Sequence, residues 1–163
     1  CIRDRLELIS FKPILYVCNV GENDVTDGNS YVEDFFMNKL TISDHDYFQE
    51  IQDMRVSSHL YIKRTGETIQ FVPFNMRAWH AGESSFEGTK DCNNYSIGIE
   101  LEGTDCDVYS NEQYESLIQI SRLIIKNYPE INKESIVGHS DISPGRKTDP
   151  GDKFDWVRYL DAL

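Results

Sequence analysis

Apolar and polar residues alternate most regularly along the stretch from Tyr95 to Glu102. Tyr95, Ile97, Ile99 and Leu101 fall on one side, and Ser96, Gly98, Glu100 and Glu102 fall on the other. A period of two predicts a β-strand. Gly98 leaves space beside the carboxylate of Glu100, so a catalytic acid or base is one interpretation of this glutamate. A solvent-facing charge is the other.

Residues 13–20 form an almost continuous apolar run, which is typical of a buried central strand. Cys18 and Asn19 lie near its carboxyl end, where open sheets tend to place ligands. A free cysteine is more commonly a small buried hydrophobic residue, so Cys18 has two interpretations.

Helical periodicity and turn residues predict the other elements. A long helix is predicted from Ser110 to Tyr128, with Ser110 and Gln113 as a capping box and Pro129 as its end. Strands are predicted at residues 57–63, 68–72 and 136–137, and shorter helices at residues 31–36, 47–51 and 155–160. Their order predicts a single α/β domain over residues 1–163, with a mixed central β-sheet flanked by helices.

Composition narrows the range of functions. The 163 residues carry a formal net charge of -12, which disfavours binding to nucleic acid and to anionic membranes. No apolar run approaches the roughly 20 residues needed to span a bilayer, and the first residues lack the apolar core of a signal peptide. The four cysteines form no Cys-x-x-Cys pair, so we expect reduced thiols in a cytoplasmic protein. We also expect a monomer.

Two loops carry the candidate chemistry. Between Gly138 and Gly151, the side chains of His139, Lys147 and Asp149 suggest a zinc site with an oxyanion-stabilising cation. The alternative is a solvated loop whose charges pair with one another. The loop over residues 77–94 contains Trp79, whose flat face suits a sugar or a peptide. Alternatively, Trp79 covers the edge of the core.

Five stretches, in the same order, resemble the AmpD-type N-acetylmuramoyl-L-alanine amidases, a group that includes the peptidoglycan recognition proteins. They are Arg55–His59, Val72–Gly82, Cys92-Asn93, Ser96–Asp105, and Gly138-His139 continued by Lys147–Gly151. The resemblance covers residues 29–156. It implies the same fold and a zinc hydrolase that cleaves the amide between N-acetylmuramic acid, usually in its 1,6-anhydro form, and the L-alanine of the stem peptide. It also implies a cytosolic role in recycling cell-wall fragments.

The resemblance implies catalytic roles for individual residues. His139 and Asp149 would be zinc ligands. Glu100 would be the general acid/base, and Lys147 would stabilise the developing oxyanion.

The resemblance also implies contacts to the substrate, an anhydromuramoyl peptide (a muropeptide). Asn19 and Arg55 would hold its peptide carboxylates, and Trp79 would lie along its sugar. The family tends to have an arginine just before its Cys-Asn pair, whereas this chain has Asp91 there, preceded by Lys90. Part of the peptide-binding surface is therefore expected to differ.

The first zinc ligand departs from the family, which has a histidine at the end of its first strand. Counting back from Tyr31 without gaps places Cys18 there. Cys18, His139 and Asp149 would be an acceptable zinc set, but two anionic ligands would lower its Lewis acidity and weaken catalysis at neutral pH. The alternative is a muropeptide-binding module of the same fold with weakened or lost catalysis.

Two further features concern this departure. Residues 1–28 resemble a fragment of an Obg-like nucleotide hydrolase, although no Gly-x-x-x-x-Gly-Lys-Ser/Thr loop is present to hold phosphates. We interpret them as an atypical N-terminal segment that supplies the first central strand.

His45, His59 and His80 are candidates to replace the missing first zinc ligand. None of them matches the family position, so we interpret them as structural or as supports of the site.

Overall fold

The structure is a computed structural model that describes residues 14–20 and 56–163. Its main sheet contains β1 (Ile14–Val20), β2 (Leu60–Ile62), β3 (Thr68–Gln70), β6 (Ser96–Glu102) and β7 (Ile136–Gly138). A separate hairpin contains β4 (Ser85–Phe86) and β5 (Thr89–Lys90). The described helices are α1 (Asn111–Asn127), α2 (His139–Ile142) and α3 (Trp156–Asp161).

The main sheet is mixed, as predicted. Its strand order is β3-β2-β6-β1-β7. The pairs β2·β6, β6·β1 and β1·β7 are parallel, and β3 runs antiparallel to β2. The apolar run near the N-terminus therefore forms an interior strand, β1, with a partner on each side.

Helix α1 begins and ends where the sequence predicts. Oγ of Ser110 accepts the N–H of Gln113 at 3.0 Å, and the side chain of Gln113 accepts the N–H of Ser110 at 3.0 Å. This capping box satisfies two of the N–H groups that a helix start leaves without intrahelical partners. Tyr114, Leu117 and Ile124 form the buried face of the helix.

Both faces of β6 are buried. Ile97, Ile99 and Leu101 belong to the apolar core together with Leu117 and Ile124 of α1, and each such side chain contributes about 1.5–3 kcal/mol on burial. The opposite face, Ser96, Gly98 and Glu100, is also buried. The alternation in the sequence therefore separates the apolar core from a buried polar layer.

The structure differs from the prediction in the lengths of two strands and in one loop. β2 and β3 are shorter than predicted, because the N–H groups of Phe71 and Val72 both point at the carbonyl of His59 and interrupt the ladder. The loop over residues 77–94 contains the hairpin β4/β5 and a 3-10 turn at Cys92–Asn94. Two-residue strands carry no detectable periodicity, which is why the sequence did not predict this hairpin.

Helix α3 and strand β7 agree with their predicted positions. The predicted helices at residues 31–36 and 47–51 lie outside the described residues. Within the described ranges, no helix has the length and apolarity that crossing a membrane requires.

Candidate active site

Three parallel strands bring their carboxyl ends to one edge of the main sheet. In the register of β1 with β6, Cys18 pairs with Glu100. In the register of β1 with β7, Val17 pairs with Gly138, the residue before His139. Neighbouring strands lie about 4.8 Å apart, so the backbone of Cys18 lies between those of Glu100 and His139.

His139 and Asp149 form a buried pair at this edge. Nδ1 of His139 lies 2.9 Å from Oδ2 of Asp149, and the two side chains are only 6% and 8% exposed. Because a carboxylate only accepts, Nδ1 donates this hydrogen bond. The backbone N–H of Ser140 donates to the carbonyl of Asp149 at 3.0 Å, which joins the two ends of the loop. A Cβ at Gly138 would lie 2.8 Å from Cδ of Pro150, so the loop closes tightly there.

The other ring nitrogen of His139 contacts the backbone. Nε2 lies 3.1 Å from the carbonyl oxygen of Ala81. Nη2 of Arg146 donates to the same oxygen at 2.7 Å and to Oγ of Ser143 at 2.7 Å. While Nδ1 donates to Asp149, Nε2 of a neutral ring is an acceptor, and Nη2 of Arg146 lies 3.2 Å from it. If Nδ1 bound a metal instead, Nε2 would carry the ring hydrogen and could donate it to the Ala81 carbonyl, as metal-binding histidines commonly do.

The donor types of this pair suit zinc, which binds imidazole nitrogen and carboxylate oxygen. Among the side chains of residues 56–163, no group of three His, Cys, Asp or Glu converges on one point. Two adjacent buried donors, His139 and Asp149, fit two positions of a zinc site. The strand register puts the backbone of Cys18, the predicted third ligand, beside them.

Glu100 is buried, with only 5% of its surface exposed. The interpretation as a solvent-facing charge is therefore wrong. The prediction of open space beside Glu100 is also wrong, because a Cβ on Gly98 would lie 2.4 Å from Cγ of His80. The imidazole of His80 fills the space that the glycine leaves.

His59 and His80 pack next to each other behind this face, with ring centres 5.4 Å apart. Nδ1 of His59 accepts the N–H of Gly98 at 3.0 Å, and its Nε2 lies 3.1 Å from the carbonyl oxygen of Met76. Both nitrogens of His59 thus contact backbone groups, as expected of a histidine that is structural or supports the site. His45 lies outside the described residues.

Trp79 and Lys147 are exposed parts of the two candidate loops. The surface of Trp79 is 43% exposed, so this residue does not serve mainly to cover the core. Its backbone N–H donates to Oγ of Ser57 at 3.0 Å. Lys147 is exposed, whereas Asp149, two residues later, is buried.

A sequence model of a protein family, described as N-acetylmuramoyl-L-alanine amidase, matches residues 29–152. The chain belongs to this amidase family. The match includes Glu100, His139, Lys147 and Asp149, the residues for which the sequence predicts catalytic or metal-binding roles. The expected family, the α/β fold and the assignment as an amidase are confirmed.

Individual relatives agree with the family. The 1,6-anhydro-N-acetylmuramyl-L-alanine amidase AmpD of Haemophilus influenzae is 53% identical over 136 residues, which are 83% of this chain and 74% of that protein. The crystal structure of a selenomethionine AmpD derivative has a TM-score of 0.89 and 41% identity, covering 98% of this chain and 88% of that one.

One similar structure contains a substrate. It is the complex of the Escherichia coli N-acetylmuramyl-L-alanine amidase AmiD with anhydro-N-acetylmuramic acid-L-Ala-D-gamma-Glu-L-Lys. Its TM-score is 0.69 at 27% identity, and the alignment covers 91% of this chain and 56% of that longer chain. The fold of this amidase is therefore also found in a relative that binds an anhydromuramoyl peptide.

The structure brings together some of the predicted residues and leaves others undescribed. Glu100 and the His139–Asp149 pair lie at the same edge of the sheet. Cys18 and Asn19 are placed only by their strand, and Arg55 lies outside the described residues. The sequence shows Arg146 beside Lys147 in the charged loop but indicates no role for it, whereas the structure places its Nη2 2.7 Å from the Ala81 carbonyl oxygen.

Proposed function

We propose that this amidase hydrolyses the amide between 1,6-anhydro-N-acetylmuramic acid and the L-alanine of a stem peptide, as a cytoplasmic monomer in peptidoglycan recycling. The observation that carries the proposal is the buried His139–Asp149 pair, at 2.9 Å, beside the strand that presents a buried Glu100. The likeness to AmpD and to the AmiD complex supports the choice of substrate.

We assign zinc as the cofactor, with Cys18, His139 and Asp149 as its ligands. Bound zinc supplies Lewis acidity at the scissile carbonyl. Asp149 and His139 are held in place by the loop closure at Gly138 and by the Ala81 carbonyl. A thiolate from Cys18 would add a second negative charge to the ligand set, so the proposal includes slower turnover than a His/His/Asp set would give.

Glu100 acts as the general base and then as the general acid. Its carboxylate takes a proton from the attacking water while the water oxygen bonds to the amide carbon. The same group then returns a proton to the alanine nitrogen as the C–N bond breaks, which yields a carboxylic acid and a free amine. Burial keeps competing solvent away from this carboxylate.

Lys147 stabilises the negative charge that develops on the carbonyl oxygen during this attack. The substrate is positioned by Trp79, which lies along the sugar, and by Asn19 and Arg55, which hold peptide carboxylates. The half-exposed indole supports the first of these contacts.

A second candidate function is a muropeptide-binding module with little or no turnover. The observation that favours it is the cysteine at position 18, where the family has a histidine and where the strand register puts the backbone beside those of Glu100 and His139. Mere binding does not require a buried carboxylate at Glu100, so we place the hydrolase first.

Metal analysis and turnover separate the two candidates. The purified parent chain and a Cys18→His variant are analysed for bound zinc and assayed for release of the stem peptide from an anhydromuramoyl tripeptide. One bound zinc per chain and turnover in the parent support the hydrolase. If zinc and turnover are both missing until histidine is introduced, the parent is not a hydrolase.

A matched control adds a histidine elsewhere. Cys106 is an exposed free cysteine, so Cys106→His tests for metal binding by an added imidazole alone. This variant should bind the same amount of zinc as the parent. Calorimetric titration with the same tripeptide then shows whether a chain without turnover still binds it, as the second candidate requires.

A further inference from the structure

Arg77 lies against the exposed Trp79. Its Cζ is 4.0 Å from the centre of the indole ring, within the range of a cation–π contact. The Arg77 side chain is 29% exposed and the Trp79 residue 43% exposed, so the pair forms part of the surface. A guanidinium stacked on an indole restricts the rotation of both side chains.

Asp91 also holds this guanidinium, through its two Nη atoms. Nη2 of Arg77 lies 3.2 Å from Oδ1 of Asp91, and Nη1 lies 3.4 Å from Oδ2. Asn94 adds a contact to Nη1 and donates from Nδ2 to Oδ2 of Asp91 at 2.7 Å. The Asp91–Arg77–Trp79 cluster is thus connected by a forked ion pair and a stacking contact.

The backbone fixes the position of Asp91. Its φ of 62° and ψ of 61° lie in the left-handed region, at the start of the 3-10 turn. Its N–H donates to the carbonyl of Ser84 at 2.9 Å, and its own carbonyl accepts the N–H of Asn94 at 3.0 Å. Two backbone hydrogen bonds therefore fix the backbone of Asp91 independently of the contact between its carboxylate and Arg77.

The same turn joins the cluster to the candidate active site. Oδ1 of Asn93 accepts the N–H groups of His80 and Ala81, at 2.9 and 2.8 Å. The Ala81 carbonyl contacts Nε2 of His139 at 3.1 Å. Trp79 thus lies two residues before a carbonyl that contacts a proposed zinc ligand.

We propose that Asp91 is a positioning residue for the substrate. It holds Arg77 against Trp79, and so presents the indole in one orientation to the sugar ring of the muropeptide. The inference rests on the proposed function, because it assigns the sugar to Trp79. A platform ordered before binding loses less conformational entropy when the sugar docks, so the pair improves affinity more than turnover.

Asp91→Asn is the most informative change. Asparagine is one of the few residues tolerated at positive φ, so the turn is kept while the negative charge is removed. Arg77→Lys keeps the positive charge but loses the planar stack and the forked pair. Both variants should raise KM for an anhydromuramoyl tripeptide about threefold to tenfold with kcat nearly unchanged.

The fluorescence of Trp79 reports how far its indole is exposed. An ion pair that did not hold the indole in place would leave this fluorescence unchanged. The chain has two tryptophans, so a Trp156→Phe background leaves Trp79 as the sole indole. In that background, Asp91→Asn and Arg77→Lys should increase the quenching of Trp79 emission by acrylamide. If Trp156→Phe does not fold, the difference between the parent and Trp79→Phe gives the same contribution.

Asp107→Asn is the matched control. Asp107 also pairs with an arginine, Arg64, at 2.8 Å, and it lies in a different loop. This variant should change neither the quenching nor KM. Unchanged quenching in Asp91→Asn would overturn the inference, and so would increased quenching with an unchanged KM.

The outcome for the parent chain separates this inference from the proposed function. A parent that binds and cleaves the tripeptide, with the same KM in Asp91→Asn, overturns only the role of Asp91. A parent that neither binds nor cleaves it overturns the proposed function together with the sugar contact. Larger KM values and increased quenching in both variants, with an unaltered control, support the inference.

Discussion

Nδ1 of His139 and Oδ2 of Asp149 are 2.9 Å apart although the residues are separated by ten positions in the chain. Their loop turns back on itself, and its two ends meet in the hydrogen bond between Ser140 and Asp149. In this arrangement, the carboxylate of Asp149 accepts a hydrogen bond from Nδ1 of His139. A metal that binds both atoms must replace the hydrogen on Nδ1, and in a neutral ring the hydrogen then lies on Nε2, next to the carbonyl oxygen of Ala81.

The first prediction concerns the charge of Asp149. Asp149→Asn keeps an oxygen that accepts the N–H of His139, so the loop should remain folded. The neutral amide is a poor zinc ligand, and we expect zinc affinity to fall at least about 100-fold. Competition with a chromophoric chelator measures the affinity, and thermal unfolding reports the fold.

Asp141→Asn is the control for this prediction. The Asp141 carboxylate lies in α2 and accepts the N–H of Gly138 at 2.7 Å. It is exposed, unlike Asp149. Its loss should lower stability slightly and leave zinc affinity unchanged. Equal zinc affinity in the parent and in Asp149→Asn would contradict the assignment of Asp149 as a ligand.

The second prediction separates catalysis from metal binding. Glu100→Gln removes the proton acceptor while preserving the size of a side chain that is only 5% exposed. We expect kcat to fall about 10²–10⁴-fold, with the zinc content unchanged. Glu102→Gln is the control, because Glu102 follows on the same strand but accepts the N–H of Arg64 at 2.7 Å. Similar losses of kcat in the two variants would contradict the role of Glu100.

Much of the fold follows from local patterns. The alternation along β6, the apolar run of β1 and the capping box at Ser110 each report local constraints that a sequence carries directly. The charged loop is apparent from the sequence for a similar reason, because His139 and Asp149 lie close in the chain. Their direct contact depends on loop closure, which the residue types alone do not specify.

The features that the sequence did not predict depend on tertiary contacts. Nothing near Gly98 in the chain indicates that the ring of His80, 18 positions earlier, fills its space. In the sequence, Asp91 is only a departure from the family pattern. Its contact with Arg77 depends on the 3-10 turn and on its left-handed backbone. Such arrangements are set by packing between segments, which a local pattern does not encode.

The third prediction tests the packing of His80 against Gly98. Gly98→Ala would place a methyl group 2.4 Å from Cγ of His80, and the overpacking should cost about 1–3 kcal/mol of unfolding free energy. Displacement of the strand should also lower activity, because Glu100 lies two residues away. Urea unfolding measures the first effect, and the tripeptide assay measures the second.

The double variant Gly98→Ala/His80→Ala identifies the cause of that cost. If the clash with the ring is responsible, the two changes together should destabilise less than the sum of the single changes. Strictly additive effects would contradict the steric explanation. In that case the cost of Gly98→Ala would arise from the backbone of β6.

The last prediction concerns the pH dependence of stability. Asp107 Oδ2 accepts the N–H of Thr104 at 2.9 Å, its hydroxyl at 3.0 Å, and Nη2 of Arg64 at 2.8 Å. The backbone hydrogen bond from Thr104 is the largest cause that lowers the pKa of this carboxyl, followed by the Thr104 hydroxyl and Arg64. Folding therefore favours the charged form, which binds fewer protons than the same group does in the unfolded chain.

The sign of the effect follows from this lowered pKa. The stabilisation is complete above the unfolded pKa of about 3.9 and is lost as the pH falls through the lower folded value. The difference in unfolding free energy between the parent and Asp107→Asn should thus be constant near neutral pH and shrink below about pH 4. Thr104→Val removes the hydroxyl donor and keeps the backbone N–H. It should therefore reduce the pH-dependent part of the stability difference without abolishing it. Urea titrations at several pH values measure the difference, and a gap that widens on acidification would show that the folded state does not favour the Asp107 carboxylate.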